Sequence, residues 1–248
     1  MRLGIITAAL LACLSVPLAG QATAAPSPSA DEVIAKMFAR DTQRETAASG
    51  YTGIRQYDLE NQQFAKHSHM VVSVVCDPDG TMHFRVKSKE GWNSGNNAIR
   101  QALETESEVT RPSMRPMTLV NKENYAFQMI GTALLNGRNA YVIDVVPQRQ
   151  EIYLFRGKIW VDAEDYALAR IEGQLAKTPS YWVRTVHFTF EFRKNGEYWF
   201  PSSTTSTSDV RIFGATVVNI RFLDYSPLSA SAAKHFDLSP MEASYVQH

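Results

Sequence analysis

The spacing of apolar residues along the chain changes period several times, and each change predicts an element. From residue 32 to 47, Val33, Ile34, Met37 and Phe38 make one stripe at helical spacing. Ser29-Ala30-Asp31-Glu32 at its start fits a capping box, in which serine and glutamate side chains satisfy amides of the first turn. From Tyr51 the period falls to two. Strands are predicted over Tyr51–Leu59, Lys66–Cys76 and Thr81–Lys89, the last two joined by Asp77-Pro78-Asp79-Gly80. Helical spacing returns between Ser94 and Val109, with Ile99, Ala102 and Leu103 on one side and Glu104, Glu106 and Glu108 beyond. Only a narrow stripe there needs burial, so a helix over 96–109 reads as a cover lying on another surface.

Residues 111–124, with Met114 and Met117, carry no clear period. Strands then follow one another: Tyr125–Leu135, an Asn136-Gly137 turn, Tyr141–Val146, a hairpin over Glu151–Leu175, Trp182–Arg193, an Asn195-Gly196 turn, Tyr198–Ser208 and Val210–Tyr225. The last of these places Ile212, Val218, Ile220 and Phe222 on one face. Sequential hairpins mean antiparallel pairing. The central hairpin bends at Asp162-Ala163-Glu164-Asp165, and a tight loop there predicts Val161 opposite Asp165, Ile159 opposite Ala167 and Phe155 opposite Ile171. Large residues then face small ones, and Arg156 faces Arg170. The predicted class is mainly β (α+β): one incomplete antiparallel barrel with helices across its open side, the only segments available to cover its apolar face.

Composition removes some readings. The chain has 25 Lys+Arg against 25 Asp+Glu, without the clustered basic face that nucleic acid calls for. Arg2, the apolar run Leu3–Leu18 and the small-x-small Ala22-Thr23-Ala24 predict a signal peptide over 1–24, leaving 25–248 as one exported domain in the periplasm. Leu10-Leu11-Ala12-Cys13 loosely matches a lipobox, but Cys13 comes early and apolar sequence continues past it. After cleavage Cys76 stands alone, which excludes an internal disulfide and a multi-cysteine metal site; Val74 and Val75 before it predict a buried, inert thiol.

Catalytic motifs are missing: no glycine-rich phosphate loop, nucleophile elbow or histidine–glutamate zinc motif. His67 and His69 share a strand face, but a third ligand from His83, placed opposite Val74, lies about 17 Å away at about 3.3 Å per residue. His187 alternates outward from a phenylalanine stripe, and Asp162, Glu164 and Asp165 read as ordinary turn formers. No enzyme, metal or cofactor is expected. The apolar inventory is the more informative feature. Val186, Phe188, Phe190 and Phe192 line one strand; Phe155, Ile159, Val161 and Ile171, and Val218, Ile220 and Phe222, line others. Either they fill a closed barrel or they wall a cavity, with Ile99, Ala102 and Leu103 on its lid.

Gly137-Arg138-Asn139-Ala140-Tyr141-Val142-Ile143, the run Ile159–Ile171 and the close Ala233–Pro240 resemble the periplasmic lipoprotein carriers LolA and LolB and the related RseB sensor domain. The order of elements resembles them too. That resemblance implies a half-open β-barrel with a helical lid that binds lipid or lipoprotein acyl chains, handed between membrane-protein donors and acceptors by a monomer. The alternative it carries is an RseB-like regulatory module that binds a protein or peptide. In the carriers an arginine on an early strand helps hold the lid. Arg55 and Arg85 are the positions to weigh here, and neither stands out.

Overall fold

The computed structural model describes residues 27–47, 50–181, 183–196 and 198–227. The predicted signal peptide, Cys13 and the stretch Ala233–Pro240 lie outside them. The elements are α1 (Ala30–Ala47), β1 (Tyr51–Asn61), β2 (Lys66–Cys76), β3 (Met82–Gly91), α2 (Asn93–Val109), the single-turn α3 (Arg115–Thr118), β4 (Tyr125–Leu135), β5 (Arg138–Pro147), β6 (Phe155–Asp162), β7 (Leu168–Leu175), β8 (Val183–Asn195), β9 (Tyr198–Val210) and β10 (Gly214–Pro227). The capping box forms as predicted, with the Ser29 amide 2.8 Å from Glu32 Oε2 and the Glu32 amide 3.3 Å from Ser29 Oγ. Residues 111–124 are knitted by buried Asn124, whose Nδ2 donates to the carbonyls of Pro116 and Leu119.

The strands form one antiparallel ten-stranded sheet in the order β3-β2-β1-β10-β9-β8-β7-β6-β5-β4, so it is open, with β3 and β4 at its edges. The chain's early strands meet its last one because β1 pairs with β10 from Tyr51↔Pro227 to Asn61↔Thr216. Asn61, fully buried, pins the far end of this ladder. Its Nδ2 donates to the Phe213 carbonyl at 2.7 Å and to Thr216 Oγ1 at 2.9 Å. Ile212 lies in the β9–β10 turn at φ 75° and is 69% exposed, so it is not on the apolar face that the period assigned it to.

Directly opposed residues of an antiparallel sheet share a face. One row therefore runs from β5 to β2 along the inner face: Ile143, Ile159, Ile171, Phe190, Thr204, Ile220, Tyr57 and Met70. Two separate cores sit on this face. Val33, Ile34 and Met37 of α1 pack over Ile143, Val145, Phe155, Ile159 and Val161. Ile99 and Leu103 of α2 pack over Tyr57, Leu59, Met70, Val72 and Met82. Ala102 faces solvent.

The central hairpin departs from the predicted register. Ile159 opposes Ile171, Phe155 opposes Leu175, and Val161 opposes Leu168 across a bulge. For Phe155 and Ile159 the slip is an even number of residues, so the faces survive although the partners change. Large no longer meets small: Gly157 faces Gly173, where a side chain on either would strike the opposing backbone, and Arg156 faces Gln174. The cause is Asp162, which is no ordinary turn former. It is 1% exposed, and its Oδ1 accepts the amides of Glu164 at 3.1 Å and Asp165 at 2.8 Å. Arg138 forks onto it at 2.6 and 2.8 Å and reaches Asp165 at 3.1 Å, while Trp199 Nε1 donates to Asp165 at 3.0 Å. The longer loop is the form in which one arginine ties three hairpins together.

Burial works against the Asp162 carboxylate, yet Arg138 and the two amides hold its pKa below the ordinary aspartate value. A depressed folded pKa contributes stability above about pH 3.9 and loses it as pH falls through the folded value. Asp162→Asn is therefore expected to cost about 2–3 kcal/mol at pH 7, the range for a hydrogen bond between charged groups. Urea unfolding at pH 7 and pH 3 checks this: the gap to wild type narrows at the lower pH, and a constant gap would refute the role of the charge.

Candidate functional site

Between the two cores the inner face of β8, β9 and β10 lies under neither helix's buried stripe. Phe188, Phe190, Val218 and Ile220 stay half-buried there, with Val186, Phe192 and Phe222. Phe188 and Phe190 meet edge to face at 5.5 Å, and Phe155 reaches Phe188 at 5.7 Å across the space that Gly173 leaves. The strand between them is built differently. β9 turns Thr204 opposite Phe190, Ser206 opposite Phe188 and Ser208 opposite Val186. Small hydroxyl residues thus form a low floor between walls of aromatic and aliphatic side chains. Thr204 is 4% exposed, and its hydroxyl has no protein partner.

The predicted cavity residues accordingly divide. Phe155, Ile159 and Val161 are packed under α1, while Ile171, Val186, Phe188, Phe190, Phe192, Val218, Ile220 and Phe222 are half-buried, Ile171 and Phe188 against the α1 core and Val218 and Ile220 against the α2 core. Of the predicted lid residues, Ile99 and Leu103 press on the sheet at 2% and 4% exposure.

A charged pair crosses this apolar face. Arg55 stands on β1 beside Tyr57 and Leu59, 3% exposed, and its Nη1 donates to both carboxylate oxygens of Glu106 on α2, at 2.8 and 2.9 Å. The guanidinium lies 4.8 Å from the Phe222 ring centre and 5.6 Å from that of Phe84. Burial opposes the charge of Arg55, but Glu106 together with the phenol oxygens of Tyr57 and Tyr225 outweighs it and holds the ionisation above the ordinary arginine range. Burial pushes the phenol of Tyr57 up to about 12 and raises those of Tyr51 and Tyr225, so these neighbours are neutral. Arg55 Nε is buried without a hydrogen-bond partner among the described residues. Sequence reasoning left this pair unchosen, although both signals were present. Gly53, Arg55, Tyr57 and Leu59 alternate onto one face, and Ile99, Leu103 and Glu106 fall at i, i+4 and i+7 on one helix stripe.

The two histidine–carboxylate pairs are on the outer face. His69 Nδ1 lies 2.7 Å from Asp58, and His83, opposite Val75 and not Val74, lies 2.9 Å from Asp77. His67 and His187 are exposed. Among the described residues no group of three histidines, cysteines or carboxylates gathers as metal ligands. Cys76 is half-buried, not fully buried, and burial raises its thiol pKa.

The chain belongs to a family of unknown function (DUF5686), whose model matches residues 79–228. No curated protein matches it. Among solved structures it is similar to a Vibrio parahaemolyticus domain named for outer membrane lipoprotein sorting (13% identity, TM-score 0.42, covering 79% of this chain and 94% of that one). It is also similar to a DUF1329 family protein from Desulfovibrio piger (11% identity, TM-score 0.44, 84% and 98%). A third is a LolA superfamily protein from Nitrosomonas europaea (10% identity, TM-score 0.40, 82% and 95%).

Removing the Glu106 carboxylate leaves Arg55 buried without its counter-charge, a penalty of about 3–5 kcal/mol while α2 stays down. Lifting α2 lets water reach the guanidinium and relieves it. In wild type the α2 amides are expected to exchange faster than those of β8. Glu106→Ala should speed α2 exchange roughly tenfold or more and leave β8 nearly unchanged. Hydrogen exchange read by mass spectrometry checks both, and α2 as protected as β8 would remove the reading of α2 as a lid.

Proposed function

We propose that residues 25–248 act as one exported, monomeric domain that binds lipid or lipoprotein acyl chains, as a carrier or chaperone of the outer-membrane lipoprotein-sorting type in the periplasm. One observation carries the reading: the inner face of β8–β10, half-buried aromatics flanking the low floor of Thr204, Ser206 and Ser208, lies between two cores that each have their own helix. An apolar chain laid along that floor buries the exposed parts of Phe188, Phe190 and Phe222 at about 25 cal/mol per Å². The role is one of binding and release, without catalysis. Handing a chain over requires a membrane-protein donor or acceptor at the mouth of the trough.

A second reading, a regulatory module that binds a protein or peptide, has its own supporting observation. Among the described residues the sheet has free edges, and edge strand β4 exposes Ile130 at 53% and Leu134 at 71%. An extended segment can add to such an edge through main-chain hydrogen bonds. The carrier reading is favoured because its site gathers half-buried aromatic side chains around small hydroxyl residues on one face, whereas the edge offers only a ladder.

Phe190→Ala tests it. The ring is half-buried beside Phe188, so the expected loss is about 1–2 kcal/mol, the area lost by a partly exposed ring. A ring in a filled core would cost about 3–5 kcal/mol. Solvent extraction of the purified wild type, with mass spectrometry of the extract, is expected to yield lipid. A lipid-free protein that also pays the full core penalty would leave a filled barrel and turn attention to the edge.

A further inference from the structure

We propose that the amphiphile held in this trough carries an anionic head group, and that the head replaces Glu106 as the counter-ion of Arg55. The inference rests on the acyl-chain reading and adds to it the chemistry of the head. Arg55 is fixed to the sheet: its side chain is 4% exposed and its guanidinium is held against the Phe222 ring. Glu106 is the movable partner, 34% exposed and carried by a helix with two buried aliphatic side chains. Among the described residues it is the carboxylate that meets Arg55. Asp58 is on the outer face with His69, and Asp224 sits opposite Ile54, whose side chain points away from the Arg55 face.

The pairing is also incomplete. A single nitrogen serves both carboxylate oxygens, in place of the two-nitrogen fork that arginine offers a carboxylate or phosphate, and Nε is left unfilled. The Thr204 hydroxyl, about 12 Å from Arg55 by strand spacing, is another buried group without a partner among the described residues. One unfilled polar group thus stands at the arginine and one on the floor of the trough. When α2 lifts to admit an apolar chain with a neutral head, Arg55 loses its counter-charge while the chain keeps water from that face. When an anionic head arrives, its oxygens take over Arg55 and the free Nε, and lifting carries no such penalty. A neutral head brings nothing to the exchange.

The test uses delipidated full-length protein and two probes of equal chain length, dodecanoate and 1-dodecanol, below their aggregation limits, with binding read by calorimetry. Dodecanoate is expected to bind roughly tenfold or more tighter, about 1.4 kcal/mol. Arg55→Gln should abolish that ratio and keep dodecanol binding. Glu106→Gln, which removes the competing charge from a half-exposed position, should widen it, and it carries the test should Arg55→Gln fail to fold. Millimolar inorganic phosphate should leave dodecanoate binding unchanged, because the tail supplies the burial. Equal affinities in wild type, or a ratio that neither variant moves, would overturn the head-group assignment while leaving the cavity reading in place. Displacement by phosphate alone would reassign the site to a free anion and overturn it as well. Binding of neither probe would overturn both.

Discussion

The β1–β10 ladder is the interaction on which the rest of the molecule depends. It runs from Tyr51↔Pro227 to Asn61↔Thr216 and is the connection between the β1–β3 and β4–β10 parts of the sheet. Each part alone would be a smaller sheet with one helix on its apolar face. Joined, they leave Phe190, Thr204 and Ile220 in the middle of the row that runs from Ile143 to Met70, between two finished cores. The trough is thus a consequence of topology: α1 precedes β1 yet packs over β4–β6, and α2 follows β3 and folds back onto β1–β3. Neither buried stripe spans the seam.

A charged pair in an apolar face is a poor device for stability, since hydrophobic residues of similar volume often do as well or better. Arg55 and Glu106 hold together two elements that otherwise meet through Ile99 and Leu103. On the head-group proposal, what the pair supplies is conditional closure. An aliphatic contact makes α2 cling regardless of what else is present, whereas an ion pair can be exchanged for another ion pair at little net cost. The ring of Phe222 beside the guanidinium fits this, because cation–π contact holds the arginine in place without competing for its donors.

Much of the fold was legible because period and turn chemistry are local. The limits of β2 and β4, the Asn136-Gly137 and Asn195-Gly196 turns and the capping box at Ser29 all follow from neighbouring residues. What failed depends on contacts distant in sequence. The register of the β6–β7 hairpin is set by Asp162, whose partner Arg138 is 24 residues away, so turn length alone gave the wrong pairing. Ile212 continues an apolar alternation on paper but falls in a turn. In the site, the phenylalanine stripe of β8 was readable as one strand face. The Arg55–Glu106 pair spans 51 residues, and each member stood on an apolar stripe as an apparent intruder; two intruders on facing surfaces explain each other only once the surfaces are known to meet.

Whether α1 or α2 moves can be decided from burial. α1 sets Val33, Ile34 and Met37 at 0–3% exposure among Tyr125, Ile143 and Val145, with Ala30 at its start. At about 1.5–3 kcal/mol for each large aliphatic side chain, that face is worth about 5–9 kcal/mol against the sheet. The corresponding face of α2 has Ile99 and Leu103, about 3–6 kcal/mol on the same scale. Its third stripe position is Glu106, whose contribution cancels whenever another anion reaches Arg55. Fully lifting α1 would cost as much as unfolding many small domains. Lifting α2 stays within reach of the binding energy of one long acyl chain, at about 0.8 kcal/mol for each buried methylene. On the carrier proposal, the asymmetry between a stripe of aliphatic residues and a stripe ending in a charge favours α2 as the element that opens, over Arg55.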